Sequence, residues 1–479
     1  MKSLKKPLAA SCEAASSNVR TLPEKAAVKS ADVKKSSPKF DGGAAAAILA
    51  GAAVTDVTPS GSVFLYGYPH VPRYSTGVHD PLQCTALYLK SGKDSAIILA
   101  NDLVVIEKDF AAGVRERIAA ETGVPAESIM VTGTHTHSGP MLADYISHSS
   151  DSVVPKTDRE YLKFAADRMV EAGRAAVKAA VPAEAGLAPA RAEGVGTNRH
   201  DPAGPADPEV PVLVVRSLAN HTPLACLVVY SMHPTVLHED STLITGDFPY
   251  FARQYLRGRT LPASCPILYH IGTAGNQSPR HVTHANTFAE AQRLGEKLGQ
   301  AIAAVIPGIT YRSDLPVRCR RKFLELTMRK FPALAAAERA EKEARARFDH
   351  LRTSGAPRQE TRTAECDWFG AEETVTMARA YADGSLKKVA VSVMPMEIQA
   401  IEIGPWKFVA WPGEYFVEYG LAVKAHSPNT FIITVANGML EGYMVTAEAV
   451  AGKFYESTNA VFDHSNGPKI VEATLALLK

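Results

Sequence analysis

The segment Thr134-His135-Thr136-His137-Ser138-Gly139-Pro140 sets two imidazoles and a hydroxyl directly beyond an apolar run, Ser128 to Val131, that reads as a strand. Imidazole nitrogen coordinates first-row metals at neutral pH, and reactive groups tend to sit on the loops that leave rigid elements. His135 and His137 are expected to divide the work, one as a metal ligand and the other serving the site differently. A third imidazole, His233, follows the apolar run Ala225 to Ser231, and Pro234 favours extended backbone at His233 and ends the strand there. Glu414 stands between Gly413 and Tyr415-Phe416, after an apolar strand and a turn proline. Each alone is as readily a loop histidine or a surface carboxylate, but His135, His233 and Glu414 together make a nitrogen, nitrogen, oxygen site.

Three further side chains have two readings each. Tyr443, in Glu441-Gly442-Tyr443, places a phenol beside such a centre, or else packs its ring in the core and hydrogen-bonds its hydroxyl. Ser278 lies in a loop after a strand, flanked by Gln277 and Pro279, so it does not fit the Gly-x-Ser-x-Gly elbow of a serine hydrolase and stands evenly between a turn serine and a catalytic one. Arg199 is either a loop arginine that orients a carbonyl, carboxylate or phosphate, or a solvated surface group. Gly272-Thr273-Ala274-Gly275 lacks the Gly-Lys-Ser/Thr of a phosphate loop.

These residues need strands and crossovers to position them. Cys84 to Leu89 and Ser95 to Ala100 read as strands, and Asp102 follows the second. Helical periodicity over Glu107 to Thr122, then the strand Ser128 to Val131, makes an α/β crossover that delivers the His-Thr-His segment. Asp158 to Ala180 is an amphipathic helix, Pro211 to Arg216 and Ala225 to Ser231 are paired strands, and helices over Phe248 to Leu256 and Thr287 to Ile306 flank a strand from Ile267 to Ile271. Phe331 to Leu351, rich in Ala, Glu, Lys and Arg, reads as a long solvated helix. Strand character returns over Val389 to Ile403, Lys407 to Trp411 and Phe431 to Ala436. We expect a leader over residues 1–47 and one domain over 48–479, with a charged helical excursion at about 320–365.

With 479 residues and 46% hydrophobic composition, the chain can bury a large core. A formal net charge of +2 gives no electrostatic case for nucleic acid as partner, and no apolar run reaches the length of a transmembrane span. The six cysteines form no CxxC pair and no small-domain disulfide framework. Cys319 and Cys366 bracket the charged segment and could pair in an exported protein. The Ser/Lys/Ala-rich N-terminus is read as disordered rather than as an export signal, which favours the cytoplasm over the periplasm or secretion.

An ordered set of segments resembles the catalytic domain of the neutral, non-lysosomal ceramidases: Asp56-Val57-Thr58-Pro59, Gly77 to Leu82, Thr134 to Pro140, Asn198-Arg199, His233-Pro234-Thr235, Gly246-Asp247, Gly275 to Pro279, Pro412-Gly413-Glu414 and Gly442 to Thr446. The resemblance implies an α/β fold with a mixed β-sheet core flanked by helices and an active site at strand ends. It implies one catalytic zinc ion, with His135, His233, Glu414 and Tyr443 as ligands, His137 near the zinc-bound water and Arg199 facing the substrate. Ser278 matches the serine of the family's Gly-Asp-x-Ser-Pro motif, and Tyr455 the tyrosine that hydrogen-bonds the substrate carbonyl. Two departures stand out: Asn276 replaces the usual Asp of that motif, and the chain ends at Lys479 without the immunoglobulin-like domain of true ceramidases.

The function expected is zinc-dependent hydrolysis, by zinc-activated water, of the carbon–nitrogen amide bond of an N-acyl substrate, ceramide-like or another N-acylated amine, on a small-molecule or lipid substrate. An esterase or lactonase is the near alternative, because the same electrophile activates either carbonyl; a noncatalytic metal-binding protein is the distant one.

Overall fold

The computed structural model of the protein describes residues 47–68 and 70–479. The leader expected over residues 1–47, Cys12 included, lies outside the described residues apart from Ala47. The larger of two main sheets has eight strands in the order Ile267–Ile271, Pro223–Tyr230, Glu209–Ser217, Val181–Arg191, Ile48–Asp56, Gln83–Ser91, Asp94–Asn101 and Ile129–Gly133. The five inner pairings are antiparallel, whereas each edge strand runs parallel to its neighbour. A parallel pair requires a crossover. Helices Lys108–Thr122 and Asp247–Leu256 supply the two crossovers, at opposite edges. The core is thus the expected mixed sheet flanked by helices.

The second sheet, Val317–Leu324, Met396–Ile403, Trp406–Ala410 and Thr430–Ile433, packs against one face of the first. Strand Asp94–Asn101 shows why the sequence reads as a continuous apolar run. Ile98 points into the layer between the sheets with Ile401 and Phe408, while Ile97 and Leu99 point to the helix-covered face with Val114 and Met169. A strand covered on both faces loses polar alternation. Helix starts follow local chemistry: Glu107, Asp158 and Thr287 each accept a first-turn backbone N–H, and the helices begin one residue later.

The eight-stranded sheet curls until its two edges meet. Thr132 Oγ1 of one edge strand lies 2.8 Å from His270 Nδ1 of the other. Residues 434–437, leaving strand Thr430–Ile433, stitch the seam. Thr434 N donates to Ile271 O (2.9 Å), Gly133 N donates to Val435 O (3.0 Å), and Asn437 N donates to Val131 O (2.8 Å). A buried ion pair ties the crossovers across the same seam, since Arg253 donates to both oxygens of Asp102 at 3.0 and 2.6 Å. The C-terminal ends of strands that start far apart in the sheet therefore open into one place.

One expectation fails. Val389 to Ile403 is not a single strand: residues 385–392 form the helix Ser385–Ser392, and the strand begins at Met396. Gly384, at φ 80°, starts that helix, and Leu386 and Ala390 at i, i+4 pack in the core, so helical spacing overrides valine's strand preference. The charged stretch is the helix Leu334–Ser354, followed by Arg358–Ala382 packed against it, with Phe348 stacked on Trp368. Cys319 and Cys366 are both free thiols. No helix among the described residues is long and apolar enough to cross a membrane.

Replacing Arg253 with Met should leave the Asp102 carboxylate buried without its cation, costing about 3–5 kcal/mol of stability. Urea unfolding of wild type and variant measures this, and a loss below about 1 kcal/mol would remove the ion pair from any role in closing the seam.

Candidate active site

His135 leaves strand Ile129–Gly133 in the left-handed region, at φ 68°. Its N–H donates to Leu103 O and its Nδ1 faces Val104 O at 2.5 Å. His233 Nδ1 faces Ala274 O at 2.7 Å and Gln277 O at 3.1 Å, and His137 Nδ1 faces Gly67 O at 3.0 Å. A carbonyl oxygen only accepts, so in each ring the proton sits on Nδ1 and the Nε2 lone pair is free.

Those three Nε2 atoms converge. His135 Nε2 is 3.2 Å from His233 Nε2, Glu414 Oε2 is 3.0 Å from His233 Nε2 and 3.2 Å from His135 Nε2, and the three groups form a closed triangle. His137 Nε2 lies 3.3 Å from His135 Nε2, and ring nitrogens of His135, His137 and His233 all lie within 4.8 Å of one another, so the three imidazoles form a second candidate metal-holding set. With the protons assigned to Nδ1, four acceptors face one another and no donor lies between them. Burial drives the His137 and His233 imidazoles towards the neutral form, His137 well below its ordinary value. Burial alone would raise the Glu414 carboxyl, yet His135 and His233 beside it hold it well below the usual carboxylate range. A proton on one Nε2, or a metal ion at the centre, relieves the repulsion among these lone pairs. Nitrogen separations near 3.3 Å are also those that ligands at about 2.0–2.1 Å from a tetrahedral ion would have.

Glu414 is carried by a two-residue strand paired in parallel with Tyr443–Met444, which sets Glu414 directly opposite Tyr443. Burial raises the Tyr443 phenol well above its ordinary value and Glu414 adds to this, while Arg199 beside it acts in the opposite sense. Gly442 makes the approach possible: its φ is 70°, and a Cβ there would lie 2.3 Å from Asn459 O. Thr197–Asn198 pairs with Gln277–Ser278, which brings Arg199 and Ser278 to the same wall.

Two adjoining cavities, of about 60 and 90 Å³, share His137, Tyr443 and Tyr455. His135 and Glu414 line the first, and Arg199, His233 and Ser278 line the second. All eight residues singled out in the sequence thus meet in one place.

Against known proteins, residues 48–256 match the family model described as neutral/alkaline non-lysosomal ceramidase, N-terminal. The chain is similar in structure to a ceramidase complexed with C2, with a TM-score of 0.69 and 17% identity over 90% of this chain and 75% of that one. It is similar also to the neutral ceramidase from Pseudomonas aeruginosa, with a TM-score of 0.68 and 18% identity over 90% of this chain and 74% of that one. The chain has the neutral-ceramidase fold. No curated protein matches it by sequence.

Within this neutral-ceramidase fold, several site residues carried no signal in the sequence. Glu456 is fully buried and holds Arg199 through Nε at 2.5 Å and His200 Nε2 at 2.8 Å. Burial alone would raise its carboxyl, but Arg199 and His200 keep it at about 2. Arg199 in turn lies over the rings of Tyr443 and Tyr455, at 5.5 and 5.9 Å. Its charge is paired with Glu456, and it also lines the second cavity. Opposite, Tyr66 hydroxyl meets His148 Nδ1 at 2.7 Å and His148 Nε2 meets Glu373 at 3.1 Å, forming a polar wall that no motif announces.

Ser278 Oγ accepts from Arg280 N at 3.4 Å, and no hydrogen bond joins it to an imidazole. Asn276 uses both ends of its amide: Nδ2 donates to Glu418 at 3.0 Å, and Oδ1 accepts from Val417 N at 3.0 Å. An aspartate there would set two carboxylates against each other.

Because the folded Glu456 carboxyl sits near 2 against an ordinary value of 4.5, its contribution is fully present above about 4.5 and fades as the pH falls towards 2. Glu456→Gln should cost about 3–5 kcal/mol at pH 7 by leaving Arg199 buried without its partner. Melting curves from pH 7 to pH 3 should show the gap between wild type and variant narrowing only below about pH 4.5; a gap independent of pH would refute the pairing.

Proposed function

We propose that the protein hydrolyses the carbon–nitrogen bond of N-acyl amides, with a zinc ion held by His135, His233, Glu414 and Tyr443. The observation that carries this reading is the triangle of His135 Nε2, His233 Nε2 and Glu414 Oε2, with no donor between its members and each imidazole Nδ1 engaged by a carbonyl. Zinc, when bound, supplies a Lewis acid that polarises a carbonyl and lowers the pKa of water towards neutrality. His137, whose ring nitrogen lies within 4.8 Å of those of both His135 and His233, is kept outside the ligand set in this reading because it comes within hydrogen-bond distance of His135 alone and lines both cavities.

The chain's own groups account for the remaining chemistry. His137, neutral and fixed at Nδ1 by Gly67 O, takes the proton of the attacking water on Nε2 and returns it to the amine nitrogen as the carbon–nitrogen bond breaks. Burial raises the Tyr455 phenol well above its ordinary value, so it stays protonated and donates to the oxyanion. Arg199, tied to Glu456, holds the Tyr443 and Tyr455 rings in place. Ser278 lines the pocket as a hydroxyl that positions substrate or water, since among the described residues its Oγ makes no hydrogen bond to an imidazole or carboxylate that could act as its base.

His233→Ala should lose zinc and amide hydrolysis together, with the rate falling at least about 10²-fold. Metal content measured beside turnover on a panel of amides and esters, with and without chelator, checks this; full zinc and normal turnover in the variant would sink the assignment. Ser278→Ala should slow turnover without abolishing it, and quenched reactions should yield no acyl-enzyme by mass spectrometry, whereas an acyl group trapped on Ser278 would overturn the water mechanism.

A further inference from the structure

A larger cavity, of about 340 Å³, adjoins the site and shares His238, Arg280 and Arg362 with the pocket that Ser278 and His233 line. Its walls come from the turn after Ser278 and from the start of helix Arg358–Ala382. The charges there do not cancel. Arg362 is matched by Glu239 at 3.1 Å and Glu365 at 2.5 Å. Arg280, by contrast, meets only the Thr363 hydroxyl and the Cys366 sulfur, both at 3.4 Å, and Arg358 meets only the Asn286 side chain. Neither arginine has a carboxylate partner among the described residues. Burial and the three arginines keep His238 well below its ordinary value, so it adds no charge of its own. A half-buried guanidinium facing a cavity with two weak acceptors has most of its donors free for a ligand, and planar two-donor recognition of an oxyanion is what arginine does best.

We propose that this cavity binds an oxyanion carried by the substrate, so that the preferred substrate is an N-acyl amide bearing a carboxylate, phosphate or sulfonate. The inference rests on the amidase reading above and specifies its substrate class. Arg280 and Arg358 are specificity residues, acting on the anionic group and not on the scissile bond.

The test compares the zinc-loaded full chain on matched amides. N-octanoyl ω-amino acids and mono-amides of dicarboxylic acids, of several chain lengths, are set against uncharged amides of equal size. Charge-assisted hydrogen bonds of this kind predict a KM roughly 10- to 100-fold lower for the best anionic member. Arg280→Gln should bring that ratio towards one, chiefly through KM, and Arg358→Gln, at an exposed position, should reduce it by a smaller factor. Equal KM for charged and uncharged amides in the wild type would overturn the proposal, as would a preference that survives in both variants. If no amide is cleaved, the amidase reading fails by itself and titration with inorganic phosphate decides the subsite. Binding weakened by Arg280→Gln supports it; no binding, or binding indifferent to both variants, rejects it.

Discussion

The closing of an eight-stranded sheet onto itself is the constraint on which everything else depends. His135 leaves one edge strand, and His233 leaves the neighbour of the other; in a flat sheet the breadth of five further strands would separate them. The curl brings them to 3.2 Å. Four residues, 434–437, together with the Asp102–Arg253 pair, hold the edges at that spacing, and the strand from which those residues emerge belongs to the other sheet. Packing of the two sheets and geometry of the His135–His233–Glu414 triangle are thus one problem, because slippage of the second sheet would move the stitch and open the centre.

Electrostatics then makes the centre expensive on its own. Lone pairs on the imidazole nitrogens and the Glu414 carboxylate face one another, and the groups are held from their far sides by backbone carbonyls on Nδ1 and a parallel strand pairing under Glu414. Glu456 does the same for Arg199, an uncompensated buried cation without it. The triangle and Arg199 are held from behind, by groups on their far sides.

The sequence was most informative where chemistry and secondary structure coincide. Strand ends followed by His-Thr-His, His-Pro-Thr and Gly-Glu marked the ligand candidates, and the helices expected from Asp158 and Thr287 begin one residue later, at Arg159 and Phe288. It was least informative where function comes from contact alone. Glu456 lies in a short helix with no motif, and Glu373 and Arg362 sit on a helix whose charges resemble a solvated face until Tyr66, His148 and Glu239 are placed against them. Strand propensity also misled at residues 389–392, where two core contacts at helical spacing outweigh a run of valines. Curling of the sheet was not legible at all, since no local pattern records which distant edges meet.

The position of the helical pair in the chain has a consequence for how such a protein can change. Strands Val317–Leu324 and Met396–Ile403 are direct antiparallel neighbours, in register from Val317 opposite Ile403 to Leu324 opposite Met396. Residues 325–395 are therefore an elaborated hairpin connection, and loop closure makes lengthening such a connection cheap. That connection supplies Phe369, Glu373, Arg358 and Arg362 to the cavity walls and none of the ligand triangle. In the proposed reading, recognition and bond cleavage fall to separable stretches of chain, so the walls can be rebuilt by insertion, deletion or exchange at one hairpin while strand register, seam and the His135–His233–Glu414 triangle are left as they stand.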